Sequence, residues 1–195
     1  MEAGRCVYSI LLMNFCSHCG SDRLKQEVPE GDNHLRKVCQ DCRTIHYRNP
    51  KIVTGCLPVW KDQVLLCRRA IEPAYGRWNI PSGYLENGES VVEGAKREVR
   101  EEAAAEVAIH YLATLYNIER IHQVYLQYVG ELVDGRFAVG EESLEVALFS
   151  ERDIPWDDIA FTSSTFTLRN YYRDRKNGAF RLHHGSYPAL SSYDD

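Results

Sequence analysis

Two apolar-rich runs, residues 52–60 and 64–69, are separated by the polar Lys61-Asp62-Gln63 and predict a strand hairpin. Longer runs of the same kind at 107–116, 123–133 and 144–149 predict three more strands, and 77–81 a short extended piece. Gly83 is expected to open a loop running to Gly88-Glu89. The period then changes. Val92, Ala95, Val99 and Ala103 recur every three or four residues and predict a helix over 90–103. Ser90 stands where an N-cap belongs, with Glu93 three positions on, the pattern of a capping box. Residues 163–176 predict a second helix, and the tail from Leu182, with its His, Ser and terminal Asp residues, is expected to be loosely ordered. Strands mixed with helices give an α/β class, without internal repeat.

The first fifth of the chain has no such pattern. Residues 21–38 are polar and hold Pro29 and Gly31-Asp32-Asn33, which predicts a hairpin turning near Gly31. So little apolar surface cannot drive folding. The hairpin is flanked by Cys16-Ser17-His18-Cys19 and Cys39-Gln40-Asp41-Cys42, and two such knuckles can place four thiolates tetrahedrally around one zinc ion. Zinc binding would then supply the folding energy. Scattered core thiols or a redox pair are the alternatives; a redox pair needs one knuckle at a helix start, not two around a polar hairpin. Cys56 and Cys67 lie in apolar runs and read as buried thiols.

Composition narrows the class. The 195 residues hold 28 Asp and Glu against 23 Lys and Arg, a formal charge of −5, with 44% hydrophobic and 26% charged positions. Disordered, collagenous and coiled-coil classes are excluded. No apolar run approaches the ~18 residues of a membrane span, and the run at 7–15 is broken by Tyr8, Ser9 and Asn14. An odd count of seven Cys argues for a reducing compartment, so a cytoplasmic protein is expected. Residues 16–51 carry seven Lys or Arg and five Asp or Glu; four thiolates and one Zn²⁺ bring that balance to zero, which disfavours nucleic acid as a partner. Met13 stands just before the first knuckle, so 1–12 read as an upstream extension or a poorly ordered arm. The acidic excess is local: residues 86–106 hold seven Glu and three Lys or Arg, a net of −4.

Within that stretch Glu98, Glu101 and Glu102 are spaced i, i+3, i+4 and share one side of the predicted helix. Three converging carboxylates repel one another unless a cation compensates, and hard oxygen ligands suit Mg²⁺ or Mn²⁺. A solvated face salt-bridged by Lys96, Arg97 and Arg100 is the alternative for the three Glu taken alone. The whole arrangement decides between them. Gly83, Glu89, Arg97, Glu98, Val99, Glu101 and Glu102 stand at the spacing of the Nudix signature, which the run resembles; Ala104 replaces the family's Gly and Ala105 its larger aliphatic.

The resemblance implies a Nudix-type α/β/α sandwich with a mixed sheet, preceded by a small zinc-ribbon β module. The expected organisation is a leader at 1–13, the ribbon at 14–48, the hydrolase domain at 49–180 and a flexible tail at 181–195. It implies Mg²⁺-dependent hydrolysis of the pyrophosphate bond in a nucleoside diphosphate-linked compound. Glu98, Glu101 and Glu102 would hold metal with the Gly83 carbonyl region, and Arg97 would pair with Glu89 and orient Glu98. Either Glu98 or an acid outside the box would take the water proton; outside it, Glu142 is a candidate base and Glu145 a candidate further metal ligand, with an exposed acidic loop as the alternative for both. Arg68 and Arg69 are candidate phosphate contacts, and Tyr75, Trp78 and Tyr84 candidate ring platforms; core packing is the competing reading. Tyr47-Arg48-Asn49-Pro50-Lys51, residues 67–73, His122-Gln123-Val124-Tyr125 and Ile154-Pro155-Trp156 resemble the FAD pyrophosphatase-like branch, which puts FAD first and NADH or ADP-ribose next. RNA decapping by the same box, and a non-enzymatic ribbon adaptor on a Nudix scaffold, are the rival functions. A homodimer is expected by analogy.

Overall fold

The computed structural model describes residues 13–187. The chain divides between Asn49 and Pro50 into two compact units. The leader expected at 1–13 lies, but for Met13, outside the described residues.

The first unit is a three-stranded antiparallel sheet, β1 (Leu24–Glu27), β2 (Arg36–Cys39) and β3 (Ile45–His46), in the order β1-β2-β3. The polar connection containing Gly31 joins β1 to β2, as its turn residues predict.

The second unit is built on a mixed sheet. Its strands are β4 (Lys51–Trp60), β5 (Gln63–Arg69), β6 (Trp78–Asn79), β7 (Ser82–Tyr84), β8 (Val107–Ile118), β9 (Gln123–Leu132), β10 (Ser143–Phe149) and β11 (His183–Tyr187). The order is β10-β5-β4-β9-β8-β11, with β6 on β5 and β7 on β4; β4 runs parallel to β9 and β11 to β8, the other pairs antiparallel. The helices are α1 (Val91–Ala103) and α2 (Thr162–Asn177). β4 lies between neighbours with both faces covered, and its middle, Val53 to Pro58, is continuously buried, Thr54 being the one polar residue there. Cys56 turns into the cluster that holds Ala95, Val99 and Ala103 of α1, and Leu57 into the one that holds Leu168, Tyr171 and Tyr172 of α2.

At the start of α1 the Ser90 hydroxyl accepts from the Glu93 amide and the Glu93 carboxylate accepts from the Ser90 amide, the expected capping box. Three expectations change. The β4–β5 turn is Lys61-Asp62, and Gln63 already belongs to the strand. Gly83 and Tyr84, expected to begin a loop, instead belong to β7 and pair with β4 at Thr54↔Gly83 and Val53↔Tyr84. The tail is not loose from 182: β11 pairs in parallel with β8, and Asp174 of α2 anchors its start by accepting from His183 Nε2 at 2.7 Å and from the Arg181 amide at 3.2 Å. Residues 188–195 lie outside the described residues. Among the described residues no helix is long and apolar enough to cross a membrane.

Candidate active site

The chemistry-bearing residues of the ribbon come together at its knuckles. The sulfurs of Cys16, Cys19, Cys39 and Cys42 all lie within 4.8 Å of one another, with Cys16–Cys42 and Cys19–Cys39 each at 3.6 Å. Four thiolates at ~2.3 Å from a tetrahedral zinc would stand roughly 3.8 Å apart, so the donor set fits that ion. Among these neighbouring thiols the Thr44 hydroxyl lowers the pKa of Cys42, while hydrogen bonds from the other sulfurs help to raise that of Cys19. Cys56 and Cys67 are fully buried, as their apolar runs predict.

In the second unit, α1 presents its acidic side to β7. Arg97 is the hub. Its Nε and Nη2 donate to the two oxygens of Glu89 at 3.1 and 2.8 Å, its Nη1 to Glu98 at 2.6 Å and Glu101 at 2.9 Å, and its Nη2 also to the Tyr84 carbonyl at 3.0 Å. Those five bonds use every donor of the guanidinium, a geometry Lys cannot reproduce. Glu89 also accepts from the Glu86 amide, which ties the loop before α1 to the helix. Arg97 holds the Glu89 carboxyl down to about 2.

Glu98 and Glu102 are buried, while Glu101 is exposed. Burial pushes the Glu98 carboxyl above the usual range despite Arg97. Burial pushes Glu102 up to about 8; the Ser82 amide, donating at 2.9 Å, opposes the rise and the Glu98 charge adds to it. Gly83 lies directly under Glu98, and a Cβ there would overlap the carboxylate. That close approach explains a glycine in the middle of a strand.

The loop and strand residues separate. Glu142 is exposed, yet its charge bears on both Glu98 and Glu102. Glu145, expected as a metal ligand, is paired with Arg68 at 3.6 Å and about half exposed. Arg68 is held by the Gly76 carbonyl and stays half exposed. Arg69 is buried, donates from Nε to the Pro73 carbonyl at 2.9 Å and lies 5.0 Å from the Phe161 ring centroid, while its charge bears on Glu102. Trp78 is core, edge-on to Phe149 at 4.9 Å, and offers no platform. Tyr84 and Tyr75 are exposed. The Lys51 ammonium sits 4.7 Å from the Tyr84 ring centroid and Gln123 Nε2 donates to its hydroxyl at 2.7 Å. Sequence reasoning missed Lys51 and Gln123, which neighbouring strands bring to Tyr84 and no local spacing connects to it.

The family model described as NUDIX domain matches residues 49–169. The chain belongs to the Nudix family. The Nudix N-terminal zinc-ribbon model matches residues 14–48. A solved Nudix hydrolase from Nitrosomonas europaea is 46% identical, with a TM-score of 0.86 over 90% of this Nudix chain and 99% of its own. An ADP-ribose pyrophosphatase of Methanocaldococcus jannaschii is 25% identical over 68% of this chain and 78% of its own length. The NAD-capped RNA hydrolase NudC of Pseudomonas aeruginosa is 30% identical over 85% of this chain; the match spans 57% of that protein.

Proposed function

We propose that this chain hydrolyses the pyrophosphate bond of a nucleoside diphosphate-linked compound in a Mg²⁺- or Mn²⁺-dependent reaction, with FAD first among substrates and NADH or ADP-ribose next. The observation that carries the reading is the cluster itself. Glu98, Glu101 and Glu102 lie on one side of α1 beside β7, two of them buried; Arg97 bonds Glu98 and Glu101 but is shared with Glu89, and the Arg69 charge bears on Glu102. Burial disfavours the charged forms of Glu98 and Glu102, a cost that a bound cation would offset, and hard carboxylate oxygens suit Mg²⁺.

Glu98, Glu101 and Glu102 would hold the cation. When bound, it would neutralise charge on the diphosphate and lower the pKa of water at phosphorus. The chain's own residues do the rest. Arg97 fixes Glu98 and Glu101 against each other, and the Ser82 amide fixes Glu102. Glu142, beside the cluster and exposed, is our choice to take the proton of the attacking water, with Glu98 second. Tyr84, backed by Lys51 and Gln123, offers a ring face for the nucleoside, and Arg68, held by Glu145, a cation for phosphate.

FAD, NADH and ADP-ribose share an ADP unit, and the relatives from M. jannaschii and P. aeruginosa are both named for substrates that contain it. The test is turnover of FAD, NADH, ADP-ribose and NAD-capped RNA with Mg²⁺, compared by kcat/KM. FAD should rank first. Activity on none of them would favour the non-enzymatic scaffold.

A further inference from the structure

Two of the three cluster carboxylates rest on the three-residue strand β7: Glu102 takes the Ser82 amide, and Glu98 lies over Gly83. Where β7 sits therefore decides where both carboxylates sit. One side of β7 is held by β4, and Gly55 lets it come close: a Cβ at 55 would meet the Pro81 carbonyl oxygen at 2.5 Å and Gln127 Oε1 at 2.8 Å, and would overlap the Ser82 side chain. The other hold comes from a distant part of the chain. In the first turn of α2, Ser164 Oγ donates to Asn79 Oδ1 at 2.6 Å, and Asn79 Nδ2 donates to Ser82 Oγ at 3.4 Å. Ser82 Oγ in turn donates to the Ile80 carbonyl at 2.9 Å, closing a turn around 80–82. Asn79 and Ser164 are each about 1% exposed. Both of Asn79's polar ends are thus used on one line, running from α2 through β6 to the Ser82 whose amide holds Glu102.

We propose that Asn79 and Ser164 are positioning residues, which lock Ser82 in place and so preset Glu102 for the divalent cation. The proposal rests on the metal-site reading above. Neither residue touches the carboxylates, and neither belongs to the Nudix signature run. An uncharged hydrogen bond is worth ~1 kcal/mol net, about fivefold in an equilibrium constant, so each break in the line should weaken metal binding by about that factor.

Metal binding measured calorimetrically with Mn²⁺ on the full chain, without substrate, separates the outcomes. Ser164→Ala should weaken Mn²⁺ about fivefold and raise the metal concentration for half-maximal activity equally, leaving the substrate KM at saturating metal unchanged. Ser164→Thr keeps the hydroxyl and should restore wild-type affinity. Asn79→Leu removes the acceptor for Ser164 and the donor to Ser82 together without adding charge, and should lose at least as much affinity as Ser164→Ala. A Ser164→Ala protein with lowered Tm but wild-type Mn²⁺ affinity would show a merely structural line and overturn the proposal. Wild-type protein that binds no Mn²⁺ at this cluster would instead remove the metal-site reading beneath it.

Discussion

Arg97 and Glu89 show how a single contact at the residue scale shapes a measurable property of the chain. The Glu89 carboxyl falls from an ordinary 4.5 to about 2 because Arg97 donates to both its oxygens. A lowered native pKa adds stability that is complete above the unfolded value and is lost as pH falls through the native one. Wild type should therefore lose this contribution between pH 4.5 and 2. Glu89→Gln should be less stable at pH 7, with the gap closing toward pH 2; chemical denaturation across that range measures it, and a constant gap would contradict the pairing. At Gly83, an added Cβ displaces the end of the Glu98 side chain rather than backbone. Gly83→Ala should thus fold normally yet lose about 100-fold in kcat, the scale of loss from small misplacements of catalytic groups. Loss of fold, or full activity, would contradict that account. Both residues were legible in the sequence because the Nudix spacing is local to one loop and helix. The surroundings of Arg69 and Trp78 were not, since only tertiary packing sets them against Phe161 and Phe149.

At the scale of elements, α1 was readable to its caps, and its exit explains the departure from the family's pattern. Ala104 takes a left-handed conformation, φ 44° and ψ 38°, with its amide donating to Arg100. That is the position where the family has glycine, which adopts it without a Cβ penalty. Ala104→Gly should stabilise the chain by about 1 kcal/mol and raise Tm by roughly 2–4 °C. A fall in Tm would mean that the exit is held by something other than this backbone conformation. β7 and β11 escaped the pattern for different reasons. Three residues are too few for a period, and β11 carries no apolar alternation of its own; it is held by the Asp174–His183 pair and by parallel pairing to β8. The polar first two turns of α2, with Ser163, Ser164 and Thr167 buried, run against a simple amphipathic reading of that helix.

For the whole molecule, the two units are stabilised by different means. The ribbon contributes a few apolar residues and four clustered sulfurs, and the second unit has apolar clusters on both faces of its sheet. Metal analysis should find about one zinc per chain. Cys16→Ser with Cys39→Ser should remove it and open residues 14–48 to proteolysis, with the unit from Pro50 onward still resistant. Loss of both together would contradict independent stabilisation. The acidic excess also has its place at this scale, since residues 86–106 carry −4 of the chain's −5 in the loop and helix where a cation would sit. The most direct measurement is Mg²⁺-dependent turnover of FAD by wild type and by Glu101→Gln with Glu102→Gln. The account predicts hydrolysis at the pyrophosphate bond by wild type and a loss of at least about 100-fold in the double variant; unchanged turnover in the double variant would contradict it.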